Sequence, residues 1–293
     1  MTTIDLNSYI CYNWMPMLSD HVLDMTEEYY NSIGVTRLHN KENFHPEDVN
    51  DGDVIFVKTD YIYHPYFQHE ILPNIKNKFT LITGGSSYHI GSNGDTSYRE
   101  IIQSPNLIKW LCTNPPSGNR DKIIPLPIGF EERERVGGNQ QLIHSHRLNR
   151  TPFQDKKEKI LLPHHTFNTN PERKDLFVYL SKLPFVETQT EKLPWTDYMK
   201  LIDEYKFVLC LEGSGPDVHR NYECLLVDCV PINLKNPIHF LFEYHKLAGV
   251  FLGGWEDLRG DVFNQINSVK YNQENSDSFL KIKYHNNILR GLE

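Results

Sequence analysis

The sequence predicts an α/β protein built from two doubly wound, Rossmann-like domains that face each other across a cleft. Three observations lead to this prediction. The chain has 293 residues, which is more than one compact domain usually holds. Short apolar runs alternate with segments of helical periodicity, a pattern typical of parallel strands that are buried on both faces. This alternation stops once, in a polar stretch at 131–158, and then starts again.

The first half of the chain is predicted to form short strands separated by helices, because near-continuous apolar runs alternate with amphipathic stretches. The predicted strands are 9–14, 35–38, 53–59, 79–83, 107–114 and 123–129, and the predicted helices are 20–33 and 66–75. We expect this series to make an N-terminal Rossmann-like domain over 1–150.

The second half repeats the pattern after the polar, Gly-Gly-containing stretch 131–158, which is predicted to be the linker. The predicted strands are 159–165, 185–189, 207–212, 230–234 and 249–254, and the predicted helices are 172–183, 195–206, one that starts near Val218, and 255–269. We expect a C-terminal Rossmann-like domain over 151–275. A last helix within 276–293 is expected to pack back toward the N-terminal domain.

Charge and composition exclude several classes of protein. The net charge is −8 and the 30 basic residues are scattered, so neither a nucleic acid nor an anionic membrane is an expected partner. No apolar run approaches the length of a membrane span, and the N-terminal residues lack the pattern of a signal peptide. The five cysteines lie mostly in apolar segments without CxxC spacing, which favours buried thiols in a reducing, cytoplasmic compartment.

The stretch CLEGSGPDVHRNYECLLVDCVPI, residues 210–232, carries the strongest functional signal. A helix that starts near Val218 would pack an apolar stripe on the sheet and leave Arg220 and Glu223 on its other side. Asp217 is a candidate N-cap, and the two glycines of the preceding loop would let a ligand approach the backbone. Ligands of such sheets bind at the carboxyl ends of strands, which is where this loop falls.

A cation and a carboxylate one helical turn apart match the diphosphate and the sugar of a nucleotide. The helix N-terminus together with Arg220 would hold a phosphate, and Glu223 could accept two hydrogen bonds from a ribose diol. The alternative is an ordinary surface ion pair at spacing i,i+3. The glycine loop and the flanking apolar strands favour the ligand-binding interpretation.

The segment FVLCLEGSGPDVHRNYECLLVDCVPI, together with weaker similarities along most of the chain, resembles exostosin-like glycosyltransferases. The resemblance implies an inverting enzyme of the two-domain GT-B fold with a nucleotide-sugar donor, usually UDP-linked, and a carbohydrate acceptor bound by the N-terminal domain. It also implies that Arg220 meets the donor diphosphate and that Glu223 meets the ribose. The chain is most similar to soluble virus-encoded members, including a xylosyltransferase of algal viruses, which implies UDP-xylose as donor and the host cytoplasm as location.

Further residues are expected near the donor. The loop and the helix start contribute the candidates Gly213, Ser214, Gly215, Asp217 and His219. The segment after the first strand of the C-terminal domain adds Asn168 and Arg173, which could reach donor phosphates or sugar hydroxyls. For Arg173, a solvated position in the first turn of a helix is the alternative.

Inverting transfer needs a base for the acceptor hydroxyl, and this base should come from the N-terminal domain at the end of a strand. The candidates are Asp95, Asp60 and His89. Asp95 lies in the flexible sequence GSNGD, and Asp60 closes the strand DVIFVKTD. Each has an ordinary alternative role: a turn residue, a helix cap and a surface loop residue, respectively. The loop GGSSYHIGSNGD departs from the pattern of the family, which leaves the identity of the base open.

No metal and no cofactor are expected. The tripeptide 51–53, DGD, precedes its strand and is predicted to form the turn that starts it, at the edge of the sheet opposite to the expected site. A dinucleotide-dependent oxidoreductase is a weaker alternative, because GSGPDV has Val218 at the third glycine position of GxGxxG. A carbohydrate- or nucleotide-binding protein that has lost its base remains a third possibility.

Overall fold

The computed structural model describes residues 5–25, 27–32, 34, 45–94, 96–117, 121–260, 266 and 273–292. By its contacts the chain divides into two compact units. The first unit comprises 1–128 and 282–293, and the second comprises 129–281.

The first unit is built on a parallel five-stranded sheet in which the strands follow one another in chain order. The register pairs Val22 with Phe56, Ile55 with Leu81, and Leu81 with Trp110. Most strand residues are buried on both faces, as a parallel sheet requires. The strands are β1 (His21–Leu23), β2 (Asp53–Lys58), β3 (Phe79–Gly84), β4 (Leu107–Cys112) and β5 (Ile123–Pro125).

The helices of this unit are short, and one comes from the C-terminal end of the chain. They are α1 (Glu27–Ser32), a π-helical turn (Tyr66–Ile71), α2 (Tyr98–Gln103) and α9 (Ile282–Arg290). Several contacts attach α9 to this unit; for example, the Ile282 N–H donates to the Ser8 carbonyl, and Lys109 Nζ donates to the Ile288 carbonyl. Residues 282–292 therefore belong with the first sheet.

Two sequence predictions for this unit were wrong. Residues 21–23, predicted as the start of a helix, form strand β1, because the backbone of β2 offers hydrogen bonds there and Val22 and Leu23 become buried. Residues 9–14, predicted as a strand, make only isolated bridges at Tyr9 and Cys11 before a 3₁₀ turn. The strand predicted at 35–38 lies outside the described residues.

The second unit has a parallel five-stranded sheet whose strand order reverses. Its strands are β6 (Lys157–Leu162), β7 (Val186–Thr188), β8 (Tyr205–Leu209), β9 (Val230–Leu234) and β10 (Val250–Leu252). Across the sheet the order is β7-β6-β8-β9-β10. This is the 2-1-3-4-5 order of flavodoxin-like sheets, with a topological switch point between β6 and β8. The prediction of an α/β protein with two Rossmann-like units is thus confirmed.

The helices of the second unit are α3 (Gln140–Leu148), α4 (Glu172–Leu180), α5 (Trp195–Asp203), α6 (His219–Leu226), α7 (Pro237–Tyr244) and α8 (Gln273–Phe279). Helix α3 lies inside the stretch predicted as a linker, so that prediction was wrong for residues 140–148. Asn139 caps α3 by accepting from the N–H groups of Gln141 and Leu142.

Buried ion pairs explain why the division between the units falls at 128/129, whereas the sequence placed it at 150. Arg147, which is 5% exposed, donates at 2.6 Å to both the carboxylate of Asp228 and the carbonyl of Leu226. Arg150 donates at 2.6 Å to the other oxygen of Asp228. These contacts hold α3 against the end of α6, a partner that local periodicity does not reveal.

All five cysteines are buried thiols, as the sequence predicted. Burial raises the pKa of Cys229 to about 12 and that of Cys224 well above its ordinary value. Of the helices that the structure describes, none combines the length and the apolar composition needed to cross a bilayer.

Candidate functional site

A pocket of about 420 Å³ opens at the carboxyl ends of the strands of the second sheet. His164, His165 and Thr166 follow β6, and Leu211 follows β8, so the pocket includes the switch point. Residues 189 and 191–193 after β7, together with side chains of α5 and α6, complete its lining. This is the position at which open α/β sheets bind their ligands, and the volume lies in the usual range for small molecules, roughly 300–1,000 Å³.

Arg220, in the first turn of α6, is held over the switch point by three partners. Its Nε donates to Tyr198 Oη at 3.0 Å, its Nη2 donates to the His164 carbonyl at 3.0 Å, and its Nη1 donates to His165 Nε2. The guanidinium also lies 5.5 Å from the centre of the Tyr198 ring. An arginine has five N–H donors, so one donor on Nη1 and one on Nη2 make no hydrogen bond within the part of the chain that the structure describes.

His165 is neutral, and its tautomer follows from its contacts. Nδ1 donates to the Pro163 carbonyl at 2.6 Å, which leaves the lone pair of Nε2 to accept from Arg220. Burial, together with the positive charges of Arg220 and Arg173, holds the pKa of His165 well below its usual value. The imidazole therefore orients Arg220 without adding charge to the pocket.

Arg173, at the start of α4, joins the two loops that flank the switch point. It donates to the carbonyls of Glu212 at 2.7 Å, Leu211 at 2.8 Å and Thr166 at 3.1 Å, and also to the hydroxyl of Thr169. One of its five N–H donors remains. Burial and the nearby Arg220 lower the pKa of Arg173 to about 10. Among the described residues, neither guanidinium forms a salt bridge, so the two positive charges are not neutralised by a carboxylate contact.

Glu223 supplies a buried negative group one helical turn beyond Arg220. Its side chain lines the pocket, and the residue is 7% exposed. Oε1 accepts from Trp195 Nε1 at 2.8 Å, whereas Oε2 makes no hydrogen bond to any described residue. Because the side chain lines the pocket, a ligand that enters the pocket can reach the unused oxygen.

The side chains of this site suit a ligand that carries an anionic group next to a hydroxyl-bearing group. Three guanidinium N–H donors that have no partner among the described residues can bind phosphate oxygens with charge-assisted hydrogen bonds. The free oxygen of Glu223 can only accept when ionised, so it suits hydroxyl donors. Arg220 and Glu223, which the sequence predicted as a pair, lie in one pocket together with Arg173 and His219.

The glycine loop has a structural role that the sequence did not predict. Neither Gly213 nor Gly215 has a positive φ. A Cβ on Gly213 would lie 3.1 Å from Arg173 Nη2, so the absence of a side chain makes room for that guanidinium. Residues 213–215 do not line the pocket, and Ser214 is exposed.

Two other candidates for the donor site, Asp217 and Asn168, have different surroundings from those expected, whereas His219 lines the pocket. Asp217 does not cap α6, whose N-cap is Val218. It is buried, at 7% exposure, and accepts from Tyr222 Oη and from Asn221 Nδ2. Asn168 is exposed and lies outside the pocket lining, whereas the Nδ1 of His219 is hydrogen-bonded to the Gly129 carbonyl at 2.8 Å.

In the first unit, two of the three candidate bases are described. Asp60 follows β2, is paired with Lys58 through one oxygen and accepts from Ser86 Oγ at 3.2 Å through the other. His89 is partly buried in the loop after β3, and Asp95 lies outside the described residues. The turn 51–53 starts β2 as predicted, and Asp53 there accepts from the Asn50 N–H and contacts His21.

Sequence reasoning missed several residues that shape the pocket. His165 and Tyr198 hold Arg220, and Trp195 holds Glu223. A Trp and a Tyr three residues apart at the start of a helix were visible in LPWTDY, but only the fold shows that this turn faces α6. Within the described ranges, no three His, Cys, Asp or Glu side chains come together as ligands for a metal ion.

The fold and the pocket define an α/β protein with a pocket at the switch point of its second sheet that is lined by two arginines and a glutamate. No protein-family model and no curated protein matches the chain. Among solved structures, it is similar to one described as "Crystal Structure of alpha1,3-Fucosyltransferase", with 10% identity and a TM-score of 0.35 over 100% of this chain and 91% of that one. A likeness at this level carries no argument, so the fold assignment above relies on the strand order alone.

Proposed function

We propose that the protein is an inverting glycosyltransferase that moves a sugar from a UDP-sugar to a hydroxyl group of a carbohydrate acceptor. One observation carries the proposal. Arg220 and Glu223, one turn apart at the switch point, both keep unused hydrogen-bonding capacity directed to the same pocket. The resemblance of residues 206–234 to exostosin-like enzymes supplies the reaction class, and the resemblance to an algal-virus xylosyltransferase supplies xylose as the proposed sugar.

In this proposal each charged group has one task. Arg220 and the remaining N–H of Arg173 bind the diphosphate, and Glu223 accepts from the ribose hydroxyls. The bond between the acceptor oxygen and the anomeric carbon forms as the bond from that carbon to the diphosphate oxygen breaks, and the acceptor proton passes to a base. The two guanidinium groups stabilise the charge that develops on the departing UDP.

The base of the first unit is assigned to Asp95, Asp60 or His89. Because one oxygen of Asp60 is already paired with Lys58, Asp95 is the first choice. The Asp95→Asn, Asp60→Asn and His89→Gln variants are expected to bind UDP normally, and the variant that lacks the true base is expected to lose transfer.

The proposal requires neither a metal nor a further cofactor, because arginines neutralise the leaving group. Transfer is therefore expected to persist in EDTA. The proposed partners are the donor and a glycan acceptor. We propose a cytoplasmic location, that of a host cell if the chain is viral, from the thiol state of the five buried cysteines.

A thermal-shift screen across nucleotide sugars tests the proposal, because a ligand that binds only the folded state raises stability by mass action. The donor identified in this way is then incubated with oligosaccharides, and mass spectrometry detects the transferred sugar. Stabilisation by UDP-sugars followed by transfer is the expected result. The absence of any stabilisation by UDP or UDP-sugars would refute the assignment of the pocket.

The second candidate function is a nucleotide-sugar-binding protein without transferase activity. The ion pair between Lys58 and Asp60 favours a binding protein. Asp60 is the one carboxylate among the candidate bases that the structure describes, and Lys58 already occupies it. The same assays separate the two functions. Selective binding of a UDP-sugar with neither transfer nor donor hydrolysis would favour the binding protein.

A further inference from the structure

Trp195 forms one wall of the pocket and makes the one direct hydrogen bond to Glu223 among the described residues. We propose that Trp195 is a positioning residue that makes this site select a ribonucleotide over its 2′-deoxy counterpart. The inference rests on the proposed function, because it takes the ribose as the group that Glu223 binds.

The contact itself has good geometry and a defined direction. The indole Nε1–H is a donor only, and it lies 2.8 Å from Glu223 Oε1. Glu223 must therefore act as an acceptor at this oxygen. With Oε1 engaged, the plane of the carboxylate is fixed and Oε2 is the oxygen that stays available to a ligand.

The indole is itself held in place by its neighbours. Trp195 is the first residue of α5, and the ring of His146 on α3 packs edge-on against it, with 5.3 Å between ring centroids and an interplanar angle of 87°. On the other side the backbone comes close. A Cβ on Gly137 would lie 3.2 Å from Trp195 Nε1 and 2.7 Å from Glu131 Oε2. A side chain at position 137 would therefore disturb the hydrogen bond between Trp195 and Glu223.

A carboxylate oriented in this way distinguishes two sugars by their hydroxyl groups. A ribose presents two adjacent hydroxyl donors, whereas a 2′-deoxyribose presents one. If the carboxylate could rotate freely, it would adapt to the single hydroxyl and discriminate little. The hydrogen bond from Trp195 removes that freedom, so the loss of the 2′-hydroxyl leaves part of a buried anion unsatisfied.

The test variant is Trp195→Phe, which removes the indole N–H that donates to Glu223 and keeps an aromatic ring. Dissociation constants are measured by titration calorimetry for UDP, 2′-deoxy-UDP and inorganic pyrophosphate. For the unsubstituted protein we expect UDP to bind at least about tenfold more tightly than 2′-deoxy-UDP. In Trp195→Phe that preference is expected to fall to about twofold, with pyrophosphate affinity unchanged, since Arg220 and Arg173 are untouched.

Two further variants keep the test decisive. Glu223→Gln is expected to lose the same preference, because it removes the ionised acceptor. Trp255→Phe makes the same chemical change at a buried tryptophan outside the pocket and is expected to keep the preference. Circular dichroism and thermal melting check that each variant is folded.

Three results would overturn the inference: an unsubstituted protein that binds both nucleotides equally, a Trp195→Phe variant that keeps the full preference, or one that loses affinity for all three ligands in equal proportion. The last result would assign Trp195 a structural role only. If the unsubstituted protein does not bind UDP at all, the proposed function fails, which is a different outcome from UDP binding without discrimination.

Discussion

Removal of the Arg220 guanidinium is expected to abolish UDP binding at micromolar concentrations. Three of its N–H donors are used by Tyr198, His165 and the His164 carbonyl, which leaves two for a phosphate. A charge-assisted hydrogen bond contributes about 1.5–3 kcal/mol, so two of them contribute about 3–6 kcal/mol. The dissociation constant of Arg220→Ala for UDP should therefore rise by roughly a hundredfold to ten-thousandfold.

Arg220→Lys separates charge from geometry. A lysine keeps the positive charge but cannot place two parallel donors on a phosphate while it contacts Tyr198 and His165. We expect it to recover a minor part of the lost affinity. Titration calorimetry with UDP gives the dissociation constants, and thermal melting in the absence of ligand shows whether each variant is folded.

The matched control is Lys200→Ala, which removes a cation from the same unit. Lys200 lies on α5 with 71% of its side chain exposed and is paired with Asp197. Its loss should change the dissociation constant by less than about twofold, because exposed charges are screened. Unchanged UDP affinity in a folded Arg220→Ala variant would refute the assignment of the phosphate site.

Three other predictions concern buried groups: His165, Asp217 and the thiols of the five cysteines. His165 stays neutral in the folded protein, so below about pH 6.5 the unfolded chain takes up a proton that the folded chain does not, and the free energy of unfolding should fall by up to about 1.4 kcal/mol per pH unit. Urea unfolding of a His165→Gln variant should show a weaker loss in acid, and an identical pH profile would contradict the neutral tautomer. Asp217→Ala should lower the free energy of unfolding by about 2–4 kcal/mol, because it removes the hydrogen bonds to Tyr222 and Asn221. Its affinity for UDP should stay within about twofold, and a tenfold loss of that affinity would place Asp217 in the donor site. A thiol reagent should label none of the five cysteines in the native protein within minutes and all of them in denaturant, and rapid labelling of the native protein would show that the thiols are accessible.

Local pattern was enough to identify the elements that carry the site. The apolar run at 230–234 was predicted with the bounds that β9 has, and the helix predicted from Val218 begins one residue later as α6. The reason is physical: a strand buried on both faces must be apolar throughout, and an amphipathic helix must repeat every three or four residues. The spacing of Arg220 and Glu223 on one helix is likewise a property of the sequence.

Longer-range contacts decided the rest. The sequence could not show that β6 and β8 are neighbours, and this adjacency brings His165 to Arg220 across 55 positions of the chain. In the same way, Arg147 joins α3 to Asp228 and holds α3 in the second unit, although the polar composition of residues 131–158 predicted a linker. Asp217 looked like a helix cap because its type and position fit one, but Tyr222 and Asn221 compete for its oxygens once the helix packs.

The sequence alone therefore determined that residues 230–234 form a strand and that Arg220 and Glu223 stand one turn apart on α6, since those properties depend on residues a few positions apart. Only the tertiary structure decided what each charged group contacts, because the partners of a buried polar atom are chosen by strand order and packing between distant segments.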